Sequence, residues 1–215
     1  MTTLLQAVNE TLTRLRENQV STYTETAYST LIAHYVNDAK RQVEDAWNWD
    51  ALSNIYVEST SSGVPQYTVT GSGIRQRDVT VNDITNQNKL KNVPIQWILD
   101  QQQLSTTQTG NPAYYAWDGT DGTDSKVTIY PTPDGTYMLA FNMCVPQATL
   151  TSDSTVITVP SEPVIAGAVA RALVERGEDG GLSSAEAYGL FKSVLADYIS
   201  LEKERFCEYD TFVAV

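Results

Sequence analysis

Two neighbouring stretches, Gly110-Asn-Pro-Ala-Tyr-Tyr-Ala-Trp-Asp-Gly119 and Lys126-Val-Thr-Ile-Tyr-Pro-Thr-Pro-Asp-Gly135, decide the fold of this chain. Both combine aromatic or β-branched residues with glycine, proline and aspartate, a composition typical of short strands joined by tight turns. Helical patterns lie on either side of them in the sequence. The order of these patterns predicts a β-region between two helical ends.

The N-terminal end carries two amphipathic stripes. Apolar residues three or four apart predict a first helix over residues 4–16. Thr22 and Glu25 have the spacing of a capping box, so we expect a second, longer helix to begin near Thr22 and to end near Trp47.

The C-terminal end repeats the helical pattern. A third helix is predicted after Pro160, with Ser161 as its cap and with Gly177 and the Gly180-Gly181 pair ending it. Ser183 and Glu186 again have capping-box spacing, which predicts a last long helix. The remaining residues, 206–215, are too apolar for a solvated tail and too few to fold alone, so we expect them to lie on a surface.

Between these ends the apolar period changes to two, which predicts short strands around Ile55 and Val57, Tyr67 and Val69, and Val79 and Val81. Segments 126–130 and 137–143 are predicted to form a hairpin, residues 119–125 an exposed loop and residues 154–159 a further strand. Residues 94–99 fit either a brief helix opened by proline or a strand.

These patterns predict an α+β fold, in which N- and C-terminal helices form a bundle that carries an inserted antiparallel β-domain and an extended C-terminal tail. We expect residues 1–50 and 160–205 to form a discontinuous helical domain. Residues 51–159 would form the inserted β-domain, and residues 206–215 the C-terminal extension.

Residues suited to catalysis or metal binding are few. His34 is the only histidine, and it lies in a helical stripe where a surface position is the common outcome. Asp118, Asp121 and Asp124 lack the alternate spacing of a calcium loop, and neither cysteine has zinc-site spacing. We therefore expect no catalytic residues, no cofactor and no metal.

The charge is strongly acidic, with 26 Asp and Glu against 14 Lys and Arg and a formal net charge of −12. This balance disfavours tight static binding to nucleic acid. The apolar runs are too short to cross a bilayer, and the N-terminus lacks a signal core, so we expect a soluble protein with no membrane partner.

The aromatic residues leave two interpretations open. Tyr114, Tyr115 and Trp117 stand beside a Gly/Asp-rich loop and could form a sugar-stacking face, which gives a receptor- or carbohydrate-binding β-module on a helical stalk as the alternative function. Together with Trp49 they are also candidates for contacts between subunits or with a tail protein. Trp47 fits a core position better.

The order of these motifs resembles the head-to-tail adaptor proteins of tailed bacteriophages, of the tail tubular protein A or head completion type. The resemblance covers most of the chain: two helices ending in Trp47-Asn-Trp49, a β-insertion with the two stretches quoted above, and an alanine-rich helix after Pro160.

The resemblance implies a structural, non-enzymatic component of the virion neck, assembled in the host cytoplasm. Copies would form a dodecameric ring beneath the portal protein that extends the DNA channel and attaches a tail or nozzle protein. Genomic DNA would pass without specific binding, and acidic residues would repel its phosphates, although these residues could equally serve solubility alone.

The C-terminal extension matches, by position, the segment that reaches the portal in such proteins. Its portal-binding candidates are Phe206, Tyr209, Phe212, Val213 and Val215. They could bind by strand addition or by anchoring in pockets of the partner, or could fold back onto the helices of their own chain.

Overall fold

The structure is a computed structural model that describes residues 2–104, 106, 108–177 and 184–205. In these residues the chain forms the helices α1 (Leu4–Arg14), α2 (Ala27–Ala46), α3 (Ile95–Leu104), α4 (Ser161–Arg176) and α5 (Ser184–Lys203). It also forms the strands β1 (Ser53–Ser59), β2 (Gln66–Thr68), β3 (Arg77–Asp83), β4 (Asn88–Lys89), β5 (Lys91–Asn92), β6 (Tyr114–Thr120), β7 (Ser125–Tyr130) and β8 (Met138–Cys144).

The chain divides into two compact units. Unit 1 comprises Met1–Ala51 and Gln147–Val215, and unit 2 comprises Leu52–Pro146. Helices α1, α2, α4 and α5 belong to unit 1, whereas α3 and all eight strands belong to unit 2. The predicted α+β class is confirmed, while residues 147–159 group with the helices.

Helix α4 is the central helix of unit 1, because it packs against α1, α2 and α5 and buries eight of its 16 residues. Small side chains allow this close packing. A Cβ atom placed on Gly167 would lie 3.0 Å from the Ala39 Cβ and 3.2 Å from the Phe191 ring. The helix ends, as predicted, at Gly177, which has a φ of 61°.

The helix starts differ from the sequence prediction in two places. Helix α2 begins after Thr26, whose side chain accepts a hydrogen bond from the Ser29 amide, so the predicted start at Thr22 is wrong. The Thr22 carbonyl instead accepts from the Glu25 amide at 3.1 Å, in a turn before the helix. Ser161 is the first residue of α4 and not its cap.

Two buried charges on α2 hold the chain where it returns from unit 2. Lys40 and Glu44 form a fully buried ion pair, with 3.1 Å between Nζ and Oε1. The Lys40 ammonium also donates to the carbonyls of Gln147, at 2.7 Å, and Ala148, at 3.0 Å. The Glu44 carboxylate accepts from the Gln147 amide. Each charge thus gains backbone hydrogen bonds that offset part of its desolvation.

Polar side chains also bind the chain before and within residues 154–159, which were predicted to form a strand. Asn37, buried on α2, donates to the Leu150 carbonyl and accepts from the Leu150 amide. The Gln147 side chain binds the Val156 carbonyl at 2.8 Å. Only an isolated bridge between Thr3 and Val156 remains of the predicted strand, in which the Ile157 amide donates to the Thr2 carbonyl at 2.9 Å.

Unit 2 contains two four-stranded sheets. Sheet A has the strand order β1-β8-β3-β4, and sheet B has the order β2-β7-β6-β5. Their facing sides share one apolar core, consisting of Val69, Val81, Leu90, Tyr115, Val127, Ile129, Leu139, Phe141 and Met143. The strands predicted around Ile55, Tyr67 and Val81 are therefore confirmed, as β1, β2 and β3.

The predicted hairpin of segments 126–130 and 137–143 is wrong, since β7 belongs to sheet B and β8 to sheet A. The connection between them cannot fold back tightly because its backbone groups bind other loops. The Thr132 amide donates to the Gln108 carbonyl at 3.0 Å, and the Pro133 carbonyl accepts from the Gly63 amide at 2.8 Å. The actual hairpin is β6-β7, joined by the predicted exposed loop.

Helix α3 covers the outer face of sheet B. Its Ile98 is buried against Ala116 of β6 and Tyr130 of β7, with Trp97 packed beside them. The helical interpretation of residues 94–99 is confirmed, and the helix continues to Leu104.

Candidate functional site

Three of the four aromatic candidates, Tyr114, Tyr115 and Trp117, lie on β6 and are mostly packed inside unit 2. Tyr115 is only 3% exposed, and its hydroxyl donates a hydrogen bond to Asp78. Burial, together with this carboxylate, raises the pKa of Tyr115 far above its ordinary value. Trp117 packs against Phe141, with 6.1 Å between ring centroids.

Tyr114 faces the opposite side of sheet B. Its ring lies 4.9 Å from the Trp97 ring of α3, and Trp97 also meets Tyr130 edge-on at 5.6 Å. These three rings fasten α3 to the sheet. Tyr114, Tyr115 and Trp117 therefore do not form one exposed stacking face, because neighbouring residues of a strand point to opposite sides.

We expect Tyr115→Phe to lower the free energy of unfolding by about 1–2 kcal/mol, because Asp78 would lose the hydrogen bond that the Tyr115 hydroxyl donates to it. Urea denaturation of the variant measures this change. Tyr114→Phe is the matched control on the same strand and should change the stability by less than about 0.5 kcal/mol. Equal losses in the two variants would show that the hydrogen bond to Asp78 does not contribute to the free energy of unfolding.

Trp49 is a core residue. Its side chain is 1% exposed, and its indole Nε1 donates to the Val43 carbonyl at 2.6 Å. The sequence prediction of Trp49 as an interface residue is therefore corrected, because its ring has almost no accessible area in this structure. Trp47, at the end of α2, is half-buried.

Sheet A presents an outer face that α3 does not cover. Residues paired across strands share a face, and the pairs here join Val57 to Ala140, Ala140 to Asn82, and Asn82 to Lys89. Ile55 is two residues from Val57 on the same face of β1. The side chains of Ile55 and Val57 are 69% and 47% exposed.

The same face continues to the start of β8. Met138, two residues before Ala140, is exposed, and its carbonyl accepts a hydrogen bond from the amide of the exposed Ile84. We call the set Ile55, Val57, Ile84, Met138 and Lys89 the sheet A surface. Four of these five side chains are apolar, and the fifth, Lys89, is a cation at the β4 end. Arg77, which pairs with Cys144, lies on the same face at the opposite end of β3.

A second exposed apolar set lies on α5. Leu190, Val194, Asp197 and Leu201 follow one another at intervals of four, three and four residues, which places them on one side of the helix. We call these four residues the α5 stripe. Leu190 and Leu201 are 55% and 57% exposed, whereas Ala187 and Phe191 are buried.

The sequence analysis did not identify either set as a surface. A signal for the sheet A surface was present in Ser53-Asn-Ile-Tyr-Val-Glu-Ser59, where three consecutive apolar residues place apolar side chains on both faces of one strand. Tyr56 packs against the core of unit 2, so Ile55 and Val57 must face outward.

Groups suited to chemistry are sparse in the described part of the chain. No group of three or more His, Cys, Asp or Glu there could hold a metal ion. His34 lies exposed on α2, as predicted for a surface helix residue, and Cys144 is buried in β8. No helix among the described residues is long and apolar enough to cross a membrane.

One cavity of about 530 Å³ lies in unit 1 between the start of α4 and the end of α5. Glu202, in its wall, accepts from the Asp50 amide at 2.9 Å and from the Arg205 guanidinium at 3.2 Å. The carboxylate is thus engaged in holding the backbone of residue 50. Trp49 and Tyr198 also line the cavity.

The portal-binding candidates Phe206, Tyr209, Phe212, Val213 and Val215 lie outside the described residues. The Gly180-Gly181 stop and the Ser183 cap also lie outside them.

A two-unit α+β protein that exposes apolar side chains on both a sheet and a helix has the surfaces of an assembly component. The chain matches the family described as SU10 adaptor protein over residues 2–207, and it therefore belongs to this family of phage adaptor proteins. Membership indicates a structural, non-enzymatic part of a phage virion that interacts with other head and tail components. No curated protein that was compared matches the chain.

Proposed function

We propose that this phage adaptor works in the virion neck, where its copies form a dodecameric ring beneath the portal protein. The ring extends the DNA channel and provides the attachment site for a tail or nozzle protein, as in the tail tubular protein A or head completion type of connector. The main support for this proposal is the match to an adaptor family over residues 2–207, a range that includes both units. Assembly takes place in the host cytoplasm.

The two exposed apolar sets support a ring. The sheet A surface belongs to unit 2 and the α5 stripe to unit 1, so each copy has two different surfaces to offer. A closed ring needs such a pair, since every copy contacts its two neighbours through different surfaces. Burying these side chains between copies removes apolar area from water.

The charge of the chain supports passage of DNA. With a net charge of −12, a wall built from many copies repels phosphates and offers few cations that could hold them. DNA can then pass through the channel without specific binding.

Portal attachment through the C-terminal extension is part of the proposal. The extension contains five large apolar or aromatic candidates, Phe206, Tyr209, Phe212, Val213 and Val215. Such residues anchor short segments in the pockets of a partner or extend one of its sheets.

The test combines the purified protein with the portal protein of the same phage. Electron microscopy should show rings on the portal for the full chain, whereas deletion of residues 206–215 should abolish attachment and leave the helix content by circular dichroism unchanged. Glu208→Ala with Asp210→Ala is the control in the same segment and should attach normally. Attachment of the deleted chain would show that the portal is bound elsewhere, and absence of rings for the full chain would refute the ring.

A further inference from the structure

We propose that neighbouring copies contact each other by packing the sheet A surface of one copy on the α5 stripe of the next, with Lys89 opposite Asp197. This inference rests on the proposed ring and names the contact that builds it.

Helix-on-sheet packing already occurs within this protein. Helix α3 covers the outer face of sheet B by placing Ile98 and Trp97 against Ala116 and Tyr130. Sheet A has an outer face of the same kind, with Ile55 and Val57 exposed. A helix from a second copy would bury this face as α3 buries the face of sheet B.

The α5 stripe has the matching apolar pattern. Leu190, Val194 and Leu201 lie along one side of a 20-residue helix, long enough to cross several strands about 4.8 Å apart. Leu190 and Leu201 are more than half exposed, as are the side chains of Ile55 and Ile84 in the sheet A surface. Contact between the two surfaces buries apolar groups on both sides.

Charge complementarity selects this pairing. The cation of the sheet A surface is Lys89, which shares a face with Asn82 on the neighbouring strand. Arg77 lies on this face at the far end of β3, where its guanidinium contacts the Cys144 Sγ at 3.7 Å. The α5 stripe contains one anion, Asp197, between Val194 and Leu201. Neither Lys89 nor Asp197 forms an ion pair with any residue that the structure describes. Each surface therefore offers the charge that the other requires.

Charge reversal tests the contact. Lys89→Glu and Asp197→Lys each place like charges at every contact, and each variant alone should need about a tenfold higher concentration for half-assembly on the portal. An equimolar mixture of the two variants should assemble like the unchanged protein. Where the two variants alternate in the ring, the reversed charge at position 89 of one copy meets the reversed charge at position 197 of the next. The remaining contacts keep the original pair.

Glu175→Lys and Lys203→Glu are the matched controls. Both residues are exposed and lie outside the two surfaces, so these variants should assemble normally, singly and mixed. Circular dichroism of all variants should be unchanged. Mass photometry and electron microscopy of the portal mixtures give the assembled fraction.

Three outcomes would overturn the inference. If rings form normally with both reversed variants, the ring stands but these surfaces do not build it. If each variant fails and the mixture also fails, the surfaces bind the portal or another protein instead of a second copy. If the unchanged protein forms no ring on the portal, the proposed function and this contact fall together.

Discussion

Lys40→Met is expected to lower the free energy of unfolding by about 3–5 kcal/mol, because it leaves the Glu44 carboxylate buried without its cation. Methionine keeps the apolar stem of lysine as far as Cε and lacks only the ammonium group, so the loss reports mainly on the charge. The ammonium also holds the carbonyls of Gln147 and Ala148, and these acceptors would lose their donor. Urea denaturation followed by circular dichroism measures the change.

The double variant Lys40→Met with Glu44→Leu is the control for this prediction. It removes both charges at once and should be more stable than Lys40→Met alone by about 1 kcal/mol or more. If the loss of the double variant equals the sum of the losses measured for Lys40→Met alone and for Glu44→Leu alone, Lys40 and Glu44 are not coupled and the buried pair does not hold this segment.

Gly167→Leu is expected to destabilise unit 1 by about 2–3 kcal/mol, through overpacking at the crossing of three helices. Even a Cβ atom at this position would lie 3.0 Å from the Ala39 side chain on α2 and 3.2 Å from the Phe191 ring on α5. The remaining leucine atoms have no space unless these helices move apart. Thermal unfolding measures the effect as a lower melting temperature.

The same substitution at Gly189 is the matched control. Gly189 lies within α5, and a Cβ atom there would meet nothing within 4 Å. Gly189→Leu should therefore be neutral or stabilise the protein by up to about 1 kcal/mol, since leucine favours the helix more than glycine does. Equal destabilisation at both positions would mean that backbone effects, and not the packing of α4, set the loss.

Local patterns predicted most of the helices. Apolar residues three or four apart identified α1, α2, α4 and α5, because a helix buries one stripe whatever it packs against. The start of α2 was missed because Thr22 and Glu25 have capping-box spacing, and Thr26 with Ser29 forms the cap that the structure contains. Two candidate caps four residues apart cannot be ranked by spacing alone.

Strand partners could not be predicted in the same way. Alternation identified β7 and β8, but which sheet a strand joins depends on residues far away in the sequence. β8 lies between β1 and β3, so its partners are found more than 50 residues earlier. Residues 154–159 show a related effect, because the Gln147 side chain binds the Val156 carbonyl and the Thr158 amide, which no strand pattern indicates.

The sheet A surface and the α5 stripe were harder to identify from the sequence than the aromatic residues were. Tyr115 and Trp49 attract attention because of their size, yet both pack inside their units. Ile55 and Val57 look like ordinary core residues of a strand, and only the position of Tyr56 shows which face is inward. Ile55 and Val57 can be recognised as surface residues only when it is known which side of the sheet is covered.

The first and last strands of unit 2 are direct neighbours, and Ser53 pairs with Cys144 at the point where the chain enters and leaves. A force that pulls these two chain ends apart therefore acts across the ladder and opens one hydrogen-bonded pair after another, beginning where the Val145 amide meets the Leu52 carbonyl. Such peeling needs less force than sliding whole strands past each other. Under mechanical load, unit 2 would thus yield by unzipping from its base, while its distant loops stay folded longest.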